Sequence, residues 1–176
     1  LYRGLDPGWD HPTSCTWALL TRANTWFIYR NWAQAGVSVG NRCAKIIELS
    51  GNTRREIRWG QGEEDVYYEE IQKDNESECI IATFADYHVF ETDQVTERPY
   101  SSNYIREGLV IQRSITYSPK ARGQRFDQLL EPSLVRAHPI SKKPPGAKVY
   151  FLINEPGVAE MLEMLENLFW ARYSTG

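Results

Sequence analysis

The chain has 176 residues, of which 41% are apolar and 24% charged, with a formal charge of -3. This length and apolar share suit one soluble globular domain able to bury a core, and the absence of a Lys/Arg stripe argues against a phosphate-coating surface, so nucleic acid is not expected as a partner. No run approaches the roughly 18 consecutive apolar residues of a membrane-spanning helix, and the longest, such as CIIATF, are strand-sized.

Residues 3–17, RGLDPGWDHPTSCTW, gather Gly, Pro, Trp and a Cys before any regular pattern begins. There is neither a Met nor a charged-then-apolar leader at the start, so a mature or trimmed form is expected. From residue 25 to 117 aromatic and β-branched runs alternate with Gly, Asn and Asp, which predicts successive strands. TWFIYRNW is the first, and CAKIIEL and REIRW flank SGN as a hairpin. DVYYEEI and CIIATFADYHVF follow around QKDNES, and GLVIQRSITY comes after the polar loop ETDQVTERPYSSN. The spacing then turns helical: Ser118 and Pro119 open a helix with Phe126, Leu129 and Leu130 on its apolar face, and Pro132 ends it. Beyond the linker ISKKPPGAK, VYFLI predicts a short strand, and Asn154 is placed to cap a second helix. That helix carries Val158, Met161, Leu162, Leu165 and Phe169 on one face, with Glu160, Glu163 and Glu166 opposite.

Many short consecutive antiparallel strands need protected edges, and closure supplies that protection. The fold expected is therefore mainly β: an antiparallel β-barrel with an outer helix over residues 1–140, then a C-terminal strand-helix extension. In that extension, residues 141–176 form a linker, a short strand and an amphipathic helix packed on the barrel or on a partner. Cys15, Cys43 and Cys79 allow at most one disulfide, and buried free thiols fit the same positions. The tripeptide Asn75–Ser77 is a glycosylation sequon, relevant in a secreted protein.

Chemistry-bearing residues are sparse. His11, His88 and His138 are scattered without metal-ligand spacing, and no metal site is expected. His88 reads as an acid or base inside the barrel or as an ordinary surface histidine; Asp86 reads as an inward acid with a raised pKa or an outward carboxylate. No Ser-His-Asp, Cys-His or phosphate-loop pattern is present, and no catalytic residue is assigned. Strand aromatics, including Trp26, Tyr29, Phe84 and Tyr87, either line a pocket for a flat or elongated apolar molecule or fill the barrel themselves. On the terminal helix Met161, Met164, Phe169 and Trp170 are candidate partner-binding residues, the alternative being packing on the barrel wall. Its acidic face favours a protein partner over anionic lipid.

GLDP, the pair Trp9-Asp10 and then Cys15 resemble the start of the violaxanthin de-epoxidase lipocalin domain, and YIREGLVIQRS resembles its last barrel strand, with SPKARGQRFDQLL similar to its outer helix. The likeness spans about residues 2–131. It implies a lipocalin-like barrel whose mouth is crossed by the opening segment, with Trp9 and Trp17 closing the cup. Asp6 stands where that family has Asn, Thr16 where it has Gln, and the Cys-rich segment of the active enzymes is missing. The resemblance thus implies a non-catalytic relative in a plastid, at the thylakoid lumen. Its expected role is to bind a carotenoid, chlorophyll or lipid, or to serve as an accessory subunit of a photosynthetic assembly. The alternatives are a de-epoxidase-like oxidoreductase and a secreted amine-binding lipocalin. Under the last, NTWFIYRNW resembles the first strand of tick salivary lipocalins, with Arg113 on the face of Trp26.

Overall fold

In the first strand, β1 (Tyr2–Asp6), buried Arg3 and Leu5 alternate with exposed Gly4 and Asp6. The computed structural model describes residues 1–8, 11–60, 62, 65–92, 94, 97–115 and 119–173. It has mixed α/β content and divides into two units, Leu1–Cys15 with Ala33–Thr116 and Thr16–Trp32 with Tyr117–Gly176. Strands β2 (Thr13–Leu20) and β3 (Trp26–Gln34) each contribute residues to both.

In the first unit β1 runs parallel to β6 (Ala82–Ala85), with Tyr2 opposite Ala82 and Leu5 opposite Ala85. The short β8 (Gln112–Arg113) lies parallel on the far side of β6. A separate sheet joins β4 (Thr53–Arg58) antiparallel to β5 (Val66–Ile71), and β7 (Glu107–Gly108) parallel to β5. Buried Arg3 ties the two together. Its guanidinium donates to both carboxylate oxygens of Glu70 at 3.0 and 2.6 Å, to Thr83 Oγ1 at 2.9 Å and to Ser50 Oγ at 3.3 Å. Asn52 Nδ2 donates to Glu70 as well, at 2.7 Å. A charge taken out of water is tolerated only when it is matched in this way.

Here the fold departs from the expected antiparallel barrel: no closed barrel forms among the described residues, and β1, β6 and β8 pair in parallel. CAKIIEL, expected as a strand, lies within a helix, α1 (Val39–Leu49). Its β-branched Ile46-Ile47 pair suits a strand, but Cys43, Ile46 and Ile47 also have i, i+3, i+4 spacing and bury together on one helical face. Ser38 Oγ caps α1 by accepting from Asn41 N at 3.4 Å. CIIATFADYHVF is not one long strand either: Ala82–Ala85 pairs as a strand, after which Asp86 caps a 3-10 helix, Tyr87–Phe90. Among the described residues of GLVIQRSITY, Gln112–Arg113 alone pairs as a strand beyond Gly108, which follows the short helix α2 (Ser101–Arg106) and has a φ of +87°.

The second unit pairs β3 in parallel with β9 (Val149–Phe151), the strand expected from VYFLI. Helix α3 (Pro119–Leu130) begins at the expected proline; the expected N-cap, Ser118, lies outside the described residues. Helix α4 (Val158–Tyr173) starts later than a cap at Asn154 implies, because Gly157 precedes it at a φ of +72°. No helix among the described residues is long and apolar enough to cross a membrane.

Candidate functional site

Strand pairing places two aspartates that are distant in the sequence at the ends of neighbouring strands. The last β1–β6 register pair is Leu5 with Ala85, both buried, and an aspartate follows each: Asp6, the last residue of β1, and Asp86, just beyond β6. Period-two alternation turns Asp6 and Asp86 to the face opposite Leu5 and Ala85. Both therefore stand at the carboxyl ends of adjacent parallel strands, where ligand sites form in open α/β sheets.

The Asp86 carboxylate accepts from Tyr87 N at 2.5 Å, which fixes it as the N-cap of the 3-10 helix. Asp6 and Asp86 line a cavity of about 200 Å³ together with Pro7, His88, Val89 and Tyr104. His88 Nδ1 lies 3.3 Å from Glu91 Oε2. Tyr104 is anchored by buried Arg42, which donates to its hydroxyl at 2.7 Å and to the carbonyls of Val37 at 3.0 Å and Gly8 at 3.4 Å. Burial raises the Tyr104 pKa against the opposing pull of Arg42, so the hydroxyl remains a neutral wall of the cavity. A Cβ on Gly8 would lie 2.1 Å from the carbonyl oxygen of His11, so the turn leaving β1 requires glycine.

No three His, Cys, Asp or Glu side chains converge into a protein-only metal cage among the described residues. Two carboxylates suit a hard cation of another kind, since Mg²⁺ keeps several waters and takes one or two carboxylates plus substrate phosphate oxygens.

The second unit holds a concavity of different character. About 370 Å³ is walled by Trp26, Ile28, Phe126, Val149, Phe151 and Met161, among others, with Thr16 at its margin. The Thr16 hydroxyl donates to Asn31 Oδ1 at 2.8 Å, so this cavity offers little polar recognition.

The remaining expected residues fall in several places. Trp9 lies outside the described residues, as do the side chains of Phe169 and Trp170. Trp17 is fully buried, with the Arg30 guanidinium 5.6 Å from its ring centroid, and the same guanidinium lies 5.5 Å from the Tyr29 ring. Phe84 stacks on Tyr2 at 6.3 Å, Met164 is exposed, and the ring beneath Arg113 is Tyr87, at 5.8 Å. The three cysteines are free thiols, Cys15 and Cys43 buried and Cys79 exposed. Sequence reasoning weighed Asp86 alone and missed its pairing with Asp6; the signal was an aspartate closing each of two alternating runs, YRGLD and ATFAD.

No family model, curated protein or solved structure matches the chain.

Proposed function

We propose that Asp6 and Asp86 hold a hydrated divalent cation, Mg²⁺ or Mn²⁺, against a phosphodiester, and that the protein is a metal-dependent phosphodiester hydrolase of the nuclease type. The observation that carries this reading is that the two aspartates, at the carboxyl ends of β1 and β6, line one cavity. A cavity of about 200 Å³ accepts a phosphate group but not a whole nucleotide, since pockets that enclose small molecules run from roughly 300 Å³ upward. A substrate whose bulk stays outside, as in a polynucleotide, fits that limit. When bound, the cation neutralises phosphate charge and lowers the pKa of a coordinated water. The two aspartates fix its position, and the Tyr87 N–H holds Asp86 in one rotamer. In the overall reaction a water oxygen forms a new bond to phosphorus, the bond to the leaving oxygen breaks, and the water proton ends on the departing alcohol. The products are a phosphomonoester and an alcohol.

Cleavage of a 5′-fluorescein-labelled DNA by the purified chain tests this reading. It predicts Mg²⁺- or Mn²⁺-dependent cutting that falls on the order of 100-fold or more in Asp6→Asn and in Asp86→Asn, the loss of several kcal/mol of transition-state stabilisation. Cutting that persists in both variants, or in EDTA, would overturn it.

A second reading, binding of an apolar pigment or lipid, is favoured by the cavity beside Trp26 and Met161. Solvent extraction of the native protein followed by chromatography checks it; an extract free of pigment and lipid counts against it.

A further inference from the structure

The second unit carries an ordered loop whose surface the acid pair does not account for. Ser133 and Gly146 close a loop through reciprocal backbone hydrogen bonds at 2.9 and 3.2 Å. Inside it His138 N donates to Lys143 O at 3.0 Å, Lys142 N donates to His138 O at 2.9 Å, and His138 Nδ1 accepts from Ile140 N at 3.2 Å. The loop is so tight that a Cβ on Gly146 would lie 2.7 Å from Ala137 O. The His138 ring packs edge-on against Tyr150, with centroids 5.2 Å apart.

This hydrogen-bonded loop nevertheless turns Leu134, Val135 and Ile140 outward, at 81%, 95% and 84% exposure. Aliphatic side chains held in water by an ordered backbone mark an interaction surface. Basic residues outnumber acidic ones around them, where Glu131 lines one concavity with Val135, Arg136 and Lys148. Residues 132–148 contain Arg136, Lys142, Lys143 and Lys148 and no Asp or Glu, although the whole chain is net negative. None of the four has an ion-pair partner among the described residues.

We infer that the 133–146 loop is a nucleic-acid contact, resting on the phosphodiesterase reading above. Lys142 and Lys143 neutralise backbone phosphates, and the aliphatic side chains press into the minor groove. Charge complementarity selects a polyanion, and apolar residues beside Lys and Arg are the combination that minor-groove binders use. The negative total excludes a uniformly basic surface, not a local one.

The test is fluorescence anisotropy of a fluorescein-labelled 20-base-pair DNA duplex in EDTA, where neither cutting nor metal binding contributes. The double variant Lys142→Ala/Lys143→Ala is expected to bind roughly tenfold more weakly or worse, with the slope of log K against log salt shallower by about 2. Val135→Ser is expected to weaken binding several-fold and leave that slope unchanged. Unaltered affinity and slope in the double variant would overturn the inference. So would DNA binding that survives while the same variant loses binding to phosphatidylserine vesicles, which would assign the loop to a lipid surface. Loop-dependent DNA binding without Mg²⁺-dependent cutting would sustain this inference and overturn the phosphodiesterase reading.

Discussion

Residues of one chemical type do different work here according to what surrounds them. Glu70 and Arg3 complete each other's hydrogen bonds in a buried network, whereas Asp6 is exposed at a strand end. Removing one partner of the network leaves the other charge unmatched, so Glu70→Ala is expected to lower unfolding stability by about 3 kcal/mol or more. Urea titration followed by circular dichroism measures this, and a change within a few tenths of a kcal/mol would contradict the network's role. The cysteines diverge in the same way. Burial pushes Cys15 and Cys43 up to about 12, while Cys79 is exposed. In a native-state titration with a disulfide reagent at pH 8, one thiol per chain is expected to react quickly and the other two only after unfolding. Rapid labelling of all three would show that the packing around α1 and β2 is wrong. The sign of the linkage is also fixed: the folded state keeps these two protons that the unfolded chain loses near 9.0. Their stabilising contribution is therefore full below about pH 9 and fades as pH rises toward 12. Denaturation midpoints should fall across that window in the native chain, and fall less in Cys43→Ala.

At the scale of elements, sequence reasoning succeeded where punctuation was strong. Pro119 and Pro132 bracket α3, and the short apolar run before Asn154 contains β9. It failed where two periodicities competed. Cys43, Ile46 and Ile47 satisfy a helix, yet the adjacent isoleucines also look like a strand; burial of all three on one face and the Ser38 cap accompany the helix. The run to Phe90 misled differently: Asp86 draws Tyr87 N into a cap and ends the strand after Ala85. That same break is what leaves Asp86 at a strand end. The start of α4 depends on close backbone approach, since a Cβ on Gly157 would lie 1.9 Å from the carbonyl oxygen of Asn31. Gly157→Ala, strained at positive φ as well, is expected to cost about 2 kcal/mol or more and lower the thermal midpoint by several degrees. An unchanged midpoint in a differential scanning experiment would refute that packing.

For the whole molecule, the resemblance drawn from the opening residues implies a closed antiparallel sheet, whereas the described residues form no closed barrel and combine parallel pairs with the antiparallel β4–β5 pair. Parallel neighbours such as β1 and β6 are separated by most of the first unit's sequence, so no turn motif announces them. Only β6 lay in a run legible as a strand; β1 falls in the opening read as irregular, and the candidate site exists only through the partnership of the two. Net charge was similarly blunt, because a total of -3 hides both the acid pair and the basic 133–146 loop. The central claim is that Asp6 and Asp86 grip one cation. Hydroxyl radicals generated by Fe²⁺ bound in place of Mg²⁺ break the backbone nearest the metal, and mass spectrometry of the fragments locates the breaks. Scission beside residue 6 and beside residue 86, suppressed by excess Mg²⁺ and absent from Asp86→Asn, is the predicted result. Breaks elsewhere, or a pattern that Asp86→Asn leaves untouched, would contradict it.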